Sequence, residues 1–196
     1  HVPVMLSEVI QVASPDKGGL FFDCTFGGGG YSKATLNFPK TRVIGLDRDK
    51  AVNFIAKKLE KKFKNRFKFY SLKFSQIDTI SETNVDTIIF DLGLSSIQLK
   101  NLKRGFSFKS KEKLGMTMGL SDTSAQEVVN NLSEKNLKLI IKILGDEKDA
   151  SKIAKNIVKA REEKRITKVD ELVKIIENSK KKNFSHKINP STKTFQ

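Results

Sequence analysis

The sequence predicts a doubly wound α/β domain that gives way near residue 95 to a mostly helical segment. Three observations carry that reading. Short apolar strands alternate with helix-patterned stretches up to about residue 95, the order that builds a parallel sheet with crossover helices. The apolar run 20–22 (LFF) passes through Asp23 into four consecutive glycines, Gly27 to Gly30, and then into a helix pattern. A glycine turn lets the backbone approach a ligand closely, because no Cβ intervenes. A second strand, 41–46 (TRVIGL), ends in Asp47, and a carboxylate at that place can accept hydrogen bonds from ribose hydroxyls.

The elements follow in order. Residues 2–6 (VPVML) form an extended lead, and Ser7 is placed to cap a helix over 8–13 that Ser14-Pro15 ends. The first strand, the glycine loop and a helix from Tyr31 follow, closed by Pro39. After the strand 42–46, Asp49 opens a helix over 50–62, in which Val52, Ile55, Ala56 and Leu59 keep helical spacing. A third strand starts at Phe67 and runs to Leu72, with Phe74 just beyond it. The fourth, Val85 to Asp91, is as apolar as a central parallel strand requires.

Beyond it the pattern changes. Residues 96–120 hold Gly105, Gly115 and Gly119 with little periodicity and read as loop. Helices are expected from Ser124, over 137–144 with a stop at Gly145, and around Ile153 to Ala160. Another carries Leu172, Val173 and Ile176, started by a capping box of Thr167 and Asp170. A basic break begins at Lys180.

Net charge is +15, which favours a polyanionic partner such as nucleic acid over a merely solvated lysine surface. The charge is uneven: residues 135–196 hold 17 Lys/Arg against 8 Asp/Glu and supply +9 of it. Cys24 is the single cysteine, which excludes an intrachain disulfide and fits a reducing cytoplasm; it reads as a packing residue at a strand end. No stretch approaches the ~20 apolar residues of a membrane helix, so no membrane partner is expected, and no metal is expected either. The chain opens on His1 rather than Met, so a longer N-terminus is expected.

The glycine run does not spell G-x-G-x-x-G, so two cofactor classes fit, a nicotinamide dinucleotide or S-adenosylmethionine. An acid directly before the glycines, as Asp23 is, suits a ligand with a cationic amino-acid end better than a pyrophosphate. The carboxyl end of the fourth strand lies where open α/β sheets bind ligands. There Asp91 is the strand-end residue able to accept a hydrogen bond from an exocyclic amine, and such alignment supplies much of the rate of a methyl transfer. Its competing reading is a turn cap, and Ser95 and Ser96 serve as caps as readily as contacts.

With both strand ends read, the sequence resembles the MraW (RsmH) family of S-adenosylmethionine-dependent methyltransferases, which modify N4 of a cytidine in small-subunit (16S) ribosomal RNA. The matching segments are 1–6 (HVPVML), 23–32 (DCTFGGGGYS), 45–49 (GLDRD), 90–99 (FDLGLSSIQL) and 104–108 (RGFSF). Weaker matches lie at 125–130, 153–158 and 189–196. The resemblance implies a Rossmann-like class I methyltransferase core over 1–103, with an incomplete parallel sheet. It also implies an all-helical, RNA-binding insertion over 104–190, and at 191–196 the start of a return to the core. It implies cofactor contacts at Gly29, Gly30, Tyr31, Asp47, Phe74, Asp91 and Gln98, with Phe74 near the adenine and Asp91 catalytic. The implied partner is small-subunit ribosomal RNA or the 30S subunit, with a homodimer compatible.

Three departures from the family's pattern stand out. Tyr31 occupies a position where the family usually has His. The family's LDMRMD segment reads LGMTMG at 114–119, with Gly115, Thr117 and Gly119 in place of charged residues. The family's chain continues past Gln196 to supply the last strands of the sheet. A non-catalytic RNA-binding fragment is therefore the alternative reading, and a nicotinamide oxidoreductase a distant third.

Overall fold

The fold was obtained as a computed structural model that describes residues 3–119, 123–180 and 188–196. The basic run 181–184 and the first two residues of the 1–6 match lie outside the described residues. The chain forms two compact units: the first runs to Ile97 and takes in Met118 and Gly119, and the second holds Gln98–Thr117 and the remainder.

The first unit is a four-stranded, wholly parallel sheet in the order β3-β2-β1-β4, made of β1 (Gly19–Asp23), β2 (Thr41–Leu46), β3 (Phe67–Tyr70) and β4 (Thr87–Ile89). Alternation along β1 sends Phe21 to one face and Leu20 and Phe22 to the other. Phe21 packs with Val43, Phe67, Leu36, Ala56 and Leu59, so α2 (Gly30–Leu36) and α3 (Asn53–Lys62) cover that face. Leu20, Phe22 and Cys24 pack with Ile44, Leu46 and Ile80 on the other. Burial on both faces is why these strands read as continuous apolar runs rather than alternating ones.

Several boundaries differ from the sequence reading. The first helix, α1, spans Leu6–Ala13, and Met5 rather than Ser7 stands at its N-cap, without a side-chain cap. Ser7 instead donates to Glu8. The helix expected over 50–62 begins as a 3-10 turn, Lys50–Val52, capped by Asp49, which accepts from the Ala51 N–H at 3.1 Å. The third and fourth strands are shorter than their apolar runs, because ladder pairing stops at Tyr70 and Ile89. The stretch 96–120 is not all loop: α4 (Ser96–Lys100) and a 3-10 turn at Leu102–Arg104 lie within it.

The second unit is helical: α5 (Ala125–Asn131), α6 (Glu134–Gly145), α7 (Ala150–Glu163), α8 (Val169–Ser179) and α9 (Thr192–Phe195). Its core joins Leu114, Leu137, Ile141, Ile153, Ile157, Val169, Ile176 and Phe195. A capping box starts α5: Ser124 accepts from the Glu127 N–H, and Glu127 accepts from the Ser124 N–H at 2.7 Å. At α8 the capping carboxylate is Glu171, not Asp170. It accepts from the Thr167 and Lys168 N–H groups at 2.8 and 3.0 Å, and these bonds pull its pKa down to about 2. Buried Glu147 receives a hydrogen bond from Lys180 Nζ, which also donates to the Pro190 carbonyl.

Two domain limits move. The change of unit falls at Ile97/Gln98 rather than near 103. Residues 191–196 do not begin a return to the first unit; α9 packs on α6 and buries Phe195 in the helical core.

Candidate active site at the carboxyl edge of the sheet

The chain leaves β1 towards β2 on one side and reaches β4 on the other, so the direction of winding reverses at β1. Such a switch point opens a crevice at the carboxyl ends of the strands. Asp47 ends the β2 side of this edge, Asp23 ends β1, and Asp91 lies two residues beyond β4.

The loop between β1 and α2 is held to that edge by backbone bonds. Phe26 N–H donates to the Leu46 carbonyl at 2.9 Å and Gly29 N–H to the Phe26 carbonyl at 2.7 Å. Gly29 has φ +70°, and a Cβ there would stand 2.8 Å from the Phe26 ring; glycine is required on both counts. Gly28, by contrast, has nothing within 4 Å of where a Cβ would stand, so this part of the loop faces open space. The Phe26 ring turns inward and packs on Phe67 and Phe69, with centroids 5.6 and 5.2 Å away. Gly45 makes room for it, since a Cβ there would meet that ring at 2.9 Å.

Each carboxylate has a distinct setting. Asp47 accepts the Gly27 N–H on one oxygen and the Asp49 N–H on the other, both at 2.8 Å. Burial raises its pKa, against the pull of those two bonds. Each oxygen keeps a lone pair for a hydroxyl. Asp23 is wholly buried, and its Oδ2 accepts from the Ser32 hydroxyl at 2.6 Å and the Ser32 N–H at 3.2 Å. Its Oδ1 is buried without a partner. Burial pushes the carboxyl up from 3.8 to about 6, against the Ser32 bonds and with help from the Asp47 charge. Asp91 is exposed, and its N–H donates to Thr25 Oγ1 at 2.8 Å. Cys24 is buried, and its thiol is pushed up to about 11 by burial and by the Asp23 charge, which keeps it a packing group.

Among the residues expected from sequence, Gly29, Gly30, Tyr31, Asp47 and Asp91 gather at this edge. Tyr31 is buried and donates from its hydroxyl to the Val4 carbonyl at 2.6 Å. Gly30 lies directly against Pro3, which a Cβ would strike. Phe74 opens a 3-10 turn after β3 and is half-exposed; its ring meets Phe90 edge-on at 5.6 Å. Gln98 lies buried on α4, in the second unit. Three contributors escaped the sequence reading: Thr25, which pins Asp91; Ser32, which holds Asp23; and Phe26, which seats the loop. Gly45 inside a strand was the one local signal for the last of these.

Of the three departures, Gly119 has a structural reason. It has φ +53°, and a Cβ would strike the Arg48 carbonyl and stand 3.1 Å from Asp49 Cα. Next to it, Met118 Sδ accepts from the Arg48 guanidinium at 3.0 Å.

The sequence profile of the MraW methylase family matches residues 1–196. The chain belongs to the MraW methylase family. Its sheet and flanking helices are accordingly a Rossmann-like methyltransferase fold. Curated relatives span the whole chain. The ribosomal RNA small subunit methyltransferase H of Ehrlichia ruminantium (strain Welgevonden) is 40% identical over 202 residues, covering 100% of this chain and 67% of that protein. The protein of the same name in Neorickettsia sennetsu is 41% identical, with 67% of it covered. That of Rickettsia akari is 42% identical, with 64% covered. The chain thus spans about two thirds of the length of these MraW-family relatives. Among the described residues no helix is long and apolar enough to cross a membrane.

Proposed function

We propose that this MraW-family chain carries the cofactor site and RNA-binding helices of an S-adenosylmethionine-dependent methyltransferase, acting on the N4 amine of a cytidine in small-subunit ribosomal RNA. The observation that carries the reading is Asp91, its backbone pinned by Thr25 at the switch point of the sheet. The donor set fits the cofactor. Asp47 offers lone pairs to ribose hydroxyls, and the open face at Gly28 leaves room for close backbone approach. The orphaned Oδ1 of Asp23 is an acceptor suited to an ammonium group. Phe74 offers an apolar ring face for a purine. When bound, the cofactor supplies an electrophilic methyl group on a sulfonium.

Asp91 accepts a hydrogen bond from the cytidine amine and aims the nitrogen lone pair. Once nitrogen has gained the methyl group it must shed a proton, and the same carboxylate is the nearest acceptor in the chain's own machinery. The lysine-rich helices of the second unit hold RNA phosphates, which fix register without reading sequence. The relatives' names, ribosomal RNA small subunit methyltransferase H, support this substrate. The test is methyl transfer from labelled cofactor to small-subunit ribosomal RNA or intact small subunits. A full-length protein that binds the cofactor yet labels no cytidine in either would sink the reading.

A further inference from the structure

We infer that the Tyr31 hydroxyl is a positioning group for Asp91, sharing its single hydrogen between the Val4 carbonyl and the Asp91 carboxylate. The inference rests on the proposed role of Asp91 as holder of the substrate amine.

Three geometric facts lead to it. Tyr31 stands in the first turn of α2 with its side chain buried. Its hydroxyl lies 2.6 Å from the Val4 carbonyl oxygen. β1 and β4 are direct neighbours, and Cys24 N–H to the Ile89 carbonyl at 2.9 Å with Asp91 N–H to Thr25 at 2.8 Å carries Asp91 back over the start of the glycine loop. The phenol is thereby caught between a carbonyl of the N-terminal segment and the carboxylates at the ends of β1 and β4.

Its surroundings agree. The phenol's pKa is raised by burial first, then by the charges of Asp91 and Asp23 and by hydrogen bonding to Asp91. It therefore remains a donor at neutral pH. Of the two acids, Asp23 already has one oxygen filled by Ser32, and the hydrogen-bonding partner is Asp91. A phenol carries one O–H and cannot serve two acceptors at once. Thr25 fixes only the backbone of Asp91, and an exposed carboxylate held at one point is free to turn. A hydrogen from Tyr31 gives it a second point of attachment and leaves its other oxygen for the substrate amine. Pro3 lies against Gly30, so the Val4 carbonyl is held beside the phenol. Where that segment sits decides how much of the hydrogen Asp91 receives.

The test is Y31F in the full-length protein, which keeps the ring and removes only the hydroxyl. Cofactor affinity by calorimetry is expected to stay within about twofold. KM for the RNA should hold while kcat falls about tenfold, as for loss of one hydrogen bond to a charged group. Wild-type kcat, or cofactor affinity falling in step with kcat, overturns the inference. A second arm needs no turnover. In protein with ring-labelled tyrosine, the Tyr31 resonance is assigned by its disappearance in Y31F. Asp91→Asn should move its titration to lower pH; an unmoved titration also overturns the inference. If the unsubstituted protein methylates nothing, the proposed function fails, while this arm still reports on the Tyr31–Asp91 link.

Discussion

Replacing Asp23 by Asn should make the protein more stable and a poorer binder of its cofactor. The carboxyl titrates at about 6 in the fold against an ordinary value of 3.8. The unfolded chain therefore gives up its proton first as pH rises. Whatever stability Asp23 contributes is fully present below about 4 and is lost through pH 6. A displacement of that size corresponds to roughly 3 kcal/mol of penalty at neutral pH. Asn is uncharged and nearly isosteric, and its carbonyl can still accept from Ser32. Its NH₂ would fill the place of an oxygen that already lacks a partner, at a cost of about 1 kcal/mol. Urea denaturation of both proteins across this pH range measures the difference. At pH 7.5 the Asn protein should be ahead by about 2 kcal/mol, and the lead should vanish towards pH 4. A stability difference that is constant from pH 4 to 8 would refute the reasoning. Calorimetry should find weaker cofactor binding by the Asn protein, because the acceptor for a cationic end is gone.

Other substitutions test neighbouring parts of the structure. Asp47→Asn turns an amide NH₂ towards one of the two backbone N–H groups that Asp47 now holds at 2.8 Å; cofactor affinity should fall about 100-fold by calorimetry, about two hydrogen bonds' worth, and a loss under threefold would remove Asp47 from the site. Gly29→Ala places a Cβ 2.8 Å from the Phe26 ring at φ +70°, so the urea midpoint should drop by the equivalent of about 1–3 kcal/mol. Glu147→Ala strands Lys180, whose side chain is only 11% exposed; a thermal scan should register a loss of about 3 kcal/mol, and an unchanged midpoint would show that Lys180 finds another acceptor.

The strand-end acids were legible because each closes an apolar run, and a parallel strand buried on both faces leaves such a run in the sequence. Asp49 was legible as a cap for an equally local reason. Thr25, Ser32 and Phe26 were not, because their partners are fixed by strand order. Nothing near residue 25 reveals that β4, more than sixty residues later, will lie beside β1 and offer the Asp91 N–H. The capping carboxylate of α8 was misassigned by one position because Glu171 and Asp170 both fit the local spacing, and only the direction of the incoming chain at Thr167 separates them. Residues 191–196 were misplaced for a related reason. Their short apolar content is satisfied equally by either core, and it is the packing of Phe195 among Leu137, Ile141 and their neighbours that settles the matter.

Among the described residues β4 is the last strand on its side of the sheet, with Ile88 and Phe90 each 48% exposed and Leu92 71% exposed. An uncovered edge of this kind recruits another strand, from its own chain or a neighbour's. Asp91 follows directly on that edge and is tied to the fold from the β1 side alone, by Thr25. Closing the outer side of β4 and setting the reactive carboxylate are therefore one event, and a protein with that edge bare would show its exposure twice, as self-association in solution and as a loosely aimed acid.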